Sequence, residues 1–340
     1  MSNVVEGARN RGPRQRPAWE VFGNMASGEL QRVIIDTDPG VDDAQAILFA
    51  FRLGAFQIDA VTTVFGNCEV TTATRNARTL LELGKVDGVP VFMGAGEPLI
   101  ERRLGFATSV HGPHGFGSFR PPEPTYPLSQ GYAAAEMARL VANNPGEITI
   151  LALGPLTNVA IAMRLEPMFV ERVRRIIFMG GIVRGPGNVA AVATANVLND
   201  PEAARIVFES GADVTMVGQD VTRHVRIEPL LIKAIRDHSS AFAKFIGEIT
   251  LFYESAYRDL EPGISGFPVH DLLVIAYAVK PEFFGTQRLP VTVETTGTAT
   301  LGMTVADFRP STTARPNVTV CLKVNDGAIL DWYRQVIIGS

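Results

Sequence analysis

From about residue 30 onward, short runs rich in Val and Ile alternate with segments whose apolar residues recur at helical spacing. This alternation restricts the fold more than any other feature of the chain, because it is the pattern of repeated βαβ units in a mainly parallel sheet. Strands are predicted at Arg32–Asp36, Ile58–Val64, Val89–Met93, Ile148–Leu153, Arg175–Met179 and Val214–Val217. Helices are predicted between them at Asp42–Leu53, Thr71–Leu83, Tyr132–Asn143, Asn158–Glu166 and Pro201–Ser210. The expected architecture is α/β: a single open, mainly parallel, Rossmann-like sheet flanked by helices. After Leu289 the pattern turns to alternating β-type sequence (Val291, Val293, then Val318, Val320, Leu322), which predicts small peripheral strands before a last helix near Ile329–Ile338. No internal repeat or clear linker interrupts residues 30–340, which are therefore read as one domain. Residues 1–29 carry Arg9, Arg11, Arg14 and Arg16 among Gly, Pro and Asn without hydrophobic periodicity, and are expected to form a flexible arm. Glu6, Glu20 and a scarcity of serine argue against an Arg-rich targeting peptide.

Several predicted strands run into polar or glycine-rich turns: Asp36–Gly40, Phe65–Asn67, Gly154–Asn158 and Gly180–Gly187. In open parallel sheets ligands bind at those carboxyl ends, so the site should be assembled from loops far apart in sequence. The most informative turn is Val33-Ile-Ile-Asp-Thr-Asp-Pro-Gly-Val-Asp-Asp-Ala44, in which Asp36, Asp38, Asp42 and Asp43 crowd one strand-to-helix junction. Like charges this close raise one another's pKa values and destabilise the turn unless a cation or hydrogen-bond donors compensate. With oxygen as the only donor atom, a hard cation such as Ca²⁺ or Mg²⁺ is favoured over zinc. The structural alternative is that Asp42 and Asp43 cap the helix at its positive end while the others are solvated. That accounts for one aspartate more easily than for four.

Composition narrows the partner. The net charge of −4, from 31 basic and 35 acidic residues, offers no broad footprint for nucleic acid or an anionic membrane, and a small polar ligand is expected. Cys68 and Cys321 are the only cysteines, too few for a disulfide framework and without zinc-ligand spacing, which fits a reducing compartment. No stretch approaches the roughly 20 apolar residues of a spanning helix, and no secretory signal opens the chain. A soluble, cytoplasmic protein is expected.

The sequence resembles the inosine-uridine preferring nucleoside hydrolases, calcium-dependent ribonucleoside N-glycosidases. Asp36-Thr-Asp-Pro-Gly-Val-Asp-Asp43 matches the family's Asp-x-Asp-Pro-Gly-x-Asp-Asp hallmark in full. The likeness continues in the family's order through Gly66-Asn67, His111-Gly112, Leu153-Gly-Pro-Leu-Thr-Asn158, Phe178-Met-Gly-Gly181, Asn196 with Asp200-Pro-Glu-Ala-Ala204, Met216-Val-Gly218 and Val269-His-Asp271. It spans about residues 31 to 335.

The resemblance implies hydrolysis of the N-glycosidic bond of a ribonucleoside to free base and ribose. It implies Asp38, Asp43 and Asp271 as calcium ligands, joined by a main-chain carbonyl, that of Leu153, by two ribose hydroxyls and by a water. Asp38 would take the proton of that water and Asp42 would bind a ribose hydroxyl. Asn67, Asn188 and Asn196 resemble the family's ribose-binding asparagines, and Met179 the residue beneath the sugar. Members are commonly dimers or tetramers, so a homodimer or homotetramer is expected. The chemistry suits these residue types, since breaking an N-ribosidic bond passes through an oxocarbenium-like state that needs nearby negative charge, an activated water and neutralisation of the departing base.

His270 precedes Asp271 at the start of the predicted helix Leu272–Val279. Beside a predicted ligand, its imidazole is read as the leaving-group acid or a base-binding residue rather than a structural one. His111 and His114 lie in Val110-His-Gly-Pro-His-Gly-Phe-Gly117, whose three glycines suggest a mobile loop. The family places such a loop over the base, which makes His111 a candidate contact and leaves His114 to solvent. His224 and His238 are given no role. Gly180–Gly187 lacks both glycine-rich phosphate-binding spacings and reads as a tight loop beside the ribose. Tyr253 and Tyr257, four apart, line the base pocket or belong to the core.

One position departs from the family. Where its motif has glutamate two residues before the ribose-binding asparagine, bonded to the sugar's 5′ end, this chain has Thr194. A small hydroxyl replaces a carboxylate, which opens the identity of the 5′ group. Two other readings compete: a nucleoside-binding or sensor protein without turnover, supported only by Thr194, and a Mg²⁺-dependent aspartyl-phosphate phosphatase, which would need a downstream Ser/Thr, a Lys and a second acidic motif.

Overall fold

A computed structural model describes residues 30–100 and 105–339. The expected arm over residues 1–29 lies outside the described residues. The strands, in chain order, are β1 (Gln31–Thr37), β2 (Phe56–Thr63), β3 (Val91–Met93), β4 (Thr149–Ala152), β5 (Arg175–Met179), β6 (Val214–Val217), β7 (Arg226–Ile227), β8 (Phe267–Pro268), β9 (Phe284–Leu289), β10 (Val291–Val293), β11 (Thr304–Ala306) and β12 (Val318–Val324). Eight of them build the main sheet in the order β3-β2-β1-β4-β5-β6-β12-β9. Neighbours run parallel except for β9, which is antiparallel to β12 at the edge.

The apolar strands are continuous because the sheet has a core on each face. Val33 and Ile35 of β1 join a cluster with Ile47, Leu48 and Leu273, while Ile34 between them joins a second cluster with Val159, Val207 and Met137. Each successive side chain enters the opposite layer, so no position in the run is free to be polar. The first layer is made by helices Val41–Leu53, Ala241–Leu260, Leu272–Val279 and Asp326–Ile338, and the second by Ala133–Asn143, Thr157–Leu165 and Pro201–Phe208. Helix Leu272–Val279 is buried through six consecutive residues, Leu272 to Tyr277, which explains its unbroken apolar sequence.

The six predicted main strands and the helices between them are present. The C-terminal region differs. Val318, Val320 and Leu322 do not belong to a peripheral strand: β12 lies inside the main sheet, parallel to β6, with Val318, Val320 and Cys321 fully buried. Its alternation with Thr319 and Lys323 has the look of a one-sided strand because it is the last buried strand before the edge. The peripheral element near the C-terminus is the antiparallel ribbon β10–β11. Edge strand β9 escapes prediction because its Phe-Gly-Thr-Gln-Arg-Leu sequence is exposed at its four central positions. No helix among the described residues is long and apolar enough to cross a membrane.

Candidate active site

The carboxyl ends of β1, β2, β4, β5 and β6 converge on the aspartate turn. β1 ends at Thr37, and the Asp38-Pro-Gly40 corner delivers the chain into helix Val41–Leu53. Asp43 closes the corner: one of its oxygens accepts from Thr37 Oγ1 at 2.6 Å, the other from Gly40 N and Asn67 Nδ2 at 3.0 Å each. The helix-capping explanation therefore holds for Asp43. Capping leaves an oxygen unaccounted for on each of the other three, since Asp36 Oδ2, Asp38 Oδ1 and Asp42 Oδ1 are buried with no hydrogen-bond partner.

Asp38 sits in a slot between two glycines. Asn67 N donates to its Oδ2 at 2.7 Å, while a Cβ at Gly66 would lie 2.0 Å from Oδ2 and one at Gly154 2.6 Å from Oδ1. Gly40 is equally constrained, because a Cβ there would fall 2.4 Å from His111 Nδ1 and 2.8 Å from Asn67 Nδ2. Asp36, behind the corner, accepts from Thr62 Oγ1 at 2.7 Å and Asn158 Nδ2 at 2.8 Å. The same Asn158 also donates to Thr63 O and accepts from Ala95 N, tying the ends of β1 and β2 to the turn that follows β3.

Asp42, Asp43 and Asp271 each bring one oxygen within 4.8 Å of the others, the spacing of a metal site. Asp38, expected as a ligand, lies outside this triplet; Asn67 N holds its Oδ2 and its Oδ1 is left without a partner. Burial raises the pKa of Asp42 and of Asp36 to about 7, Asp42 also feeling the charge of Asp43. Asp38 and Asp271 are pushed well above the ordinary carboxylate range, first by burial and then by neighbouring aspartates. Carboxylates gathered this closely in a dry place lack a compensating positive charge, and a divalent cation is the compensation that all-oxygen donors accept.

Asn196, nearly buried at the start of helix Ala195–Asn199, donates to the carbonyls of Leu153 at 2.5 Å and Met179 at 3.1 Å, so the expected carbonyl, the sulfur-bearing residue and the asparagine form one corner. Thr194, next to it, accepts from Gly181 N at 2.7 Å. Asn188 is exposed and its Oδ1 accepts from Ala195 N at 3.1 Å. The loop between these residues is held by polar clips: Thr304 Oγ1 of β11 both donates to and accepts from the Ile182 backbone, and the Asp220 carboxylate accepts from Val183 N and Arg184 N at 2.9 Å each.

His111 lies 3.8 Å from Asp42, the spacing of an ion pair. It is not one, because Val41 N–H points at His111 Nδ1 from 3.1 Å and requires a bare lone pair there. Burial agrees, lowering the imidazole pKa to about 4 and leaving the ring neutral with its proton on Nε2. The glycines of this loop answer to the fold: Gly112, Gly115 and Gly117 all have φ between +63° and +79°, and a Cβ at Gly112 would strike Gly117 O at 2.0 Å. His114 offers its carbonyl to Asn76.

His270 is buried between two hydroxyls, Thr222 Oγ1 at 2.8 Å from Nδ1 and Tyr257 Oη at 2.9 Å from Nε2. Burial, with help from His111 and Arg223, lowers its pKa to about 3. Tyr257 is raised by burial and keeps its proton, and Tyr253 OH points toward it from 3.5 Å. The tyrosine pair belongs to the core, with Tyr253 packed against Phe267 and Tyr257 facing the histidine. Sequence reasoning missed Thr222; its only signal was a position in the polar turn after β6, beyond the recognised Met216-Val-Gly218.

A family model described as inosine-uridine preferring nucleoside hydrolase matches residues 33–331. This chain belongs to that family. A probable uridine nucleosidase 1 of Oryza sativa subsp. japonica is 41% identical over 286 residues, covering 84% of this chain and 88% of the relative. The inosine-uridine preferring nucleoside hydrolase of Crithidia fasciculata is 37% identical over 297 residues, covering 87% and 93%. Among solved structures, the plant nucleoside hydrolase PpNRh1 superposes with a TM-score of 0.86 at 33% identity, over 92% of this chain and 100% of that one. The protein is a hydrolase acting on ribonucleosides, and its buried aspartates are a candidate metal site of a metal-dependent family.

Proposed function

We propose that this nucleoside hydrolase cleaves the N-glycosidic bond of common ribonucleosides with calcium as its resident ion. The observation that carries the reading is the set of buried carboxylate oxygens without partners, Asp38 Oδ1 and Asp42 Oδ1 above all, beside the Leu153–Met179–Asn196 corner. A donor set of several carboxylates and a backbone carbonyl suits calcium better than magnesium, which prefers fewer carboxylates and keeps its waters. Asp38, Asp43, Asp271 and the Leu153 carbonyl would hold the ion. When bound, it orients a water for attack and supplies positive charge that keeps the aspartates ionised.

The protein's own groups do the rest. Asp38 accepts the water's proton as the oxygen bonds to C1′, and the C1′–N bond breaks toward the base. Asp42, Asn67, Asn188 and Asn196 hold the ribose hydroxyls, with Met179 beneath the ring. The base leaves toward His111 and the Tyr257–His270 pair, with His270, held between Thr222 and Tyr257, assisting its departure. The names of the relatives make uridine and inosine the first substrates to try. The test is release of free base and reducing sugar from purine, pyrimidine and 5′-modified nucleosides, with calcium present, removed by chelator and restored. Base release that is independent of divalent ions sinks the metal assignment. Binding without any turnover favours the sensor reading, and phosphate release from esters with Mg²⁺ favours a phosphatase.

A further inference from the structure

Two fully buried polar side chains, Tyr333 and Gln45, lie inside an apolar layer of the core. Tyr333, on the last helix, is packed among Ile329, Val336 and Phe49, whose ring stacks on it at 5.8 Å. Its hydroxyl donates to Gln45 Oε1 at 2.9 Å, joining residues 288 apart in the chain. Gln45 Nε2 then donates to Val41 O, and Val41 N in turn donates to His111 Nδ1. The family match ends at residue 331, two residues short of Tyr333.

Burying a phenol and a primary amide against each other adds little net stability, and replacing both by apolar groups of the same shape is close to neutral. What the pair does supply is direction. Gln45 lies on the helix whose first turn carries Asp42 and Asp43, and the bond from Tyr333 adds a directional restraint on its rotation to the non-directional packing of its apolar residues. With side-chain atoms roughly 5–6 Å from a helix axis, a turn of about 10° displaces a carboxylate by about 1 Å.

We propose that Tyr333 and Gln45 are positioning residues of the hydrolytic site, acting through Val41 to hold Asp42, Asp43 and His111 in place. The inference rests on the family activity and not on the identity of the ion, because all measurements use the divalent metal that the wild type prefers. The decisive protein is the double variant Gln45→Met, Tyr333→Phe, which removes every polar atom of the pair and keeps its shape. Its melting temperature should stay near that of the wild type, while metal Kd and nucleoside KM rise and kcat/KM falls, each by roughly tenfold. A merely structural role would lower the active fraction, and hence apparent kcat, leaving KM and metal Kd unmoved. Tyr333→Phe alone should show the same functional change plus a lower melting temperature, since Gln45 Oε1 is then stranded. Wild-type KM and metal Kd in the double variant overturn the proposal. Should that variant not fold, the same unchanged values in Tyr333→Phe, measured well below its melting temperature, overturn it.

Discussion

Replacing Gly154 by alanine tests whether the placement of Asp38, rather than its charge alone, sets the rate. Gly154 has no left-handed φ, so an alanine there is free of backbone strain. Its Cβ would lie 2.6 Å from Asp38 Oδ1 and 2.8 Å from Val64 Cγ1, where ordinary contact begins at 3.4 Å. Val64 can give way by a small side-chain adjustment. Asp38 cannot do so freely, because Asn67 N pins its other oxygen and Gly66 closes the far side. The carboxylate must retreat by about 0.8 Å, the difference between those two distances. A misplacement of about 1 Å in a reacting group costs on the order of 10²-fold in rate, or about 2.7 kcal/mol of barrier. The expected outcome is a folded enzyme whose kcat on uridine or inosine is down about a hundredfold. Circular dichroism melting and steady-state kinetics at saturating calcium measure both halves of the claim. Wild-type kcat with an unchanged melt would show that Asp38 has room to spare and that the glycine slot is not what places it.

Asp38→Asn keeps the shape of the slot but removes the base and the charge together, so kcat should fall by about 10³-fold or more with the fold intact; near-normal turnover would remove Asp38 from the mechanism. His270→Ala should impair nucleosides with poor leaving groups far more than p-nitrophenyl riboside, whose departing group needs no proton, and equal losses on the two would reduce His270 to a binding or packing role. Thr194 stands where the family's motif has the glutamate expected at the sugar's 5′ end. A carboxylate hydrogen bond to a hydroxyl is typically worth about 1.5–3 kcal/mol, so the wild type should discriminate weakly between a nucleoside and its 5′-deoxy analogue, and Thr194→Glu should restore a preference of roughly 10- to 150-fold. A wild type that already prefers the 5′-hydroxyl by about two orders of magnitude would mean that another group does the glutamate's work.

The sheet was legible where each strand is buried on both faces, since such runs leave no polar position to confuse the reading. β12 was misplaced because Thr319 and Lys323 interrupt it, and β9 was invisible because its central residues face solvent. At the site, the aspartate turn announced itself by crowding charges that repel. The side chains that hold it gave no such signal: Asn158, Thr222 and Gln45 are ordinary polar residues until the fold brings them to Asp36, His270 and Tyr333. Their partners are distant in sequence, and a hydrogen bond across 48 or 122 residues leaves no periodicity to detect.

The clips on the loop between Gly181 and Thr194 divide the molecule's labour. The carboxylates ride on the central strand and a helix buried in the core, but Asn188 and Thr194 ride on a loop fastened by Thr304 of the β10–β11 ribbon and by Asp220, with Arg184 stacked over Phe308 just beyond. The ribbon is a two-stranded sheet of its own, apart from the main sheet. On the proposed function, substitutions there re-aim the loop assigned to the sugar and leave the carboxylates of the core in place. Substrate preference is thereby open to gradual retuning, while the hydrolytic centre stays under the tighter constraint of the core.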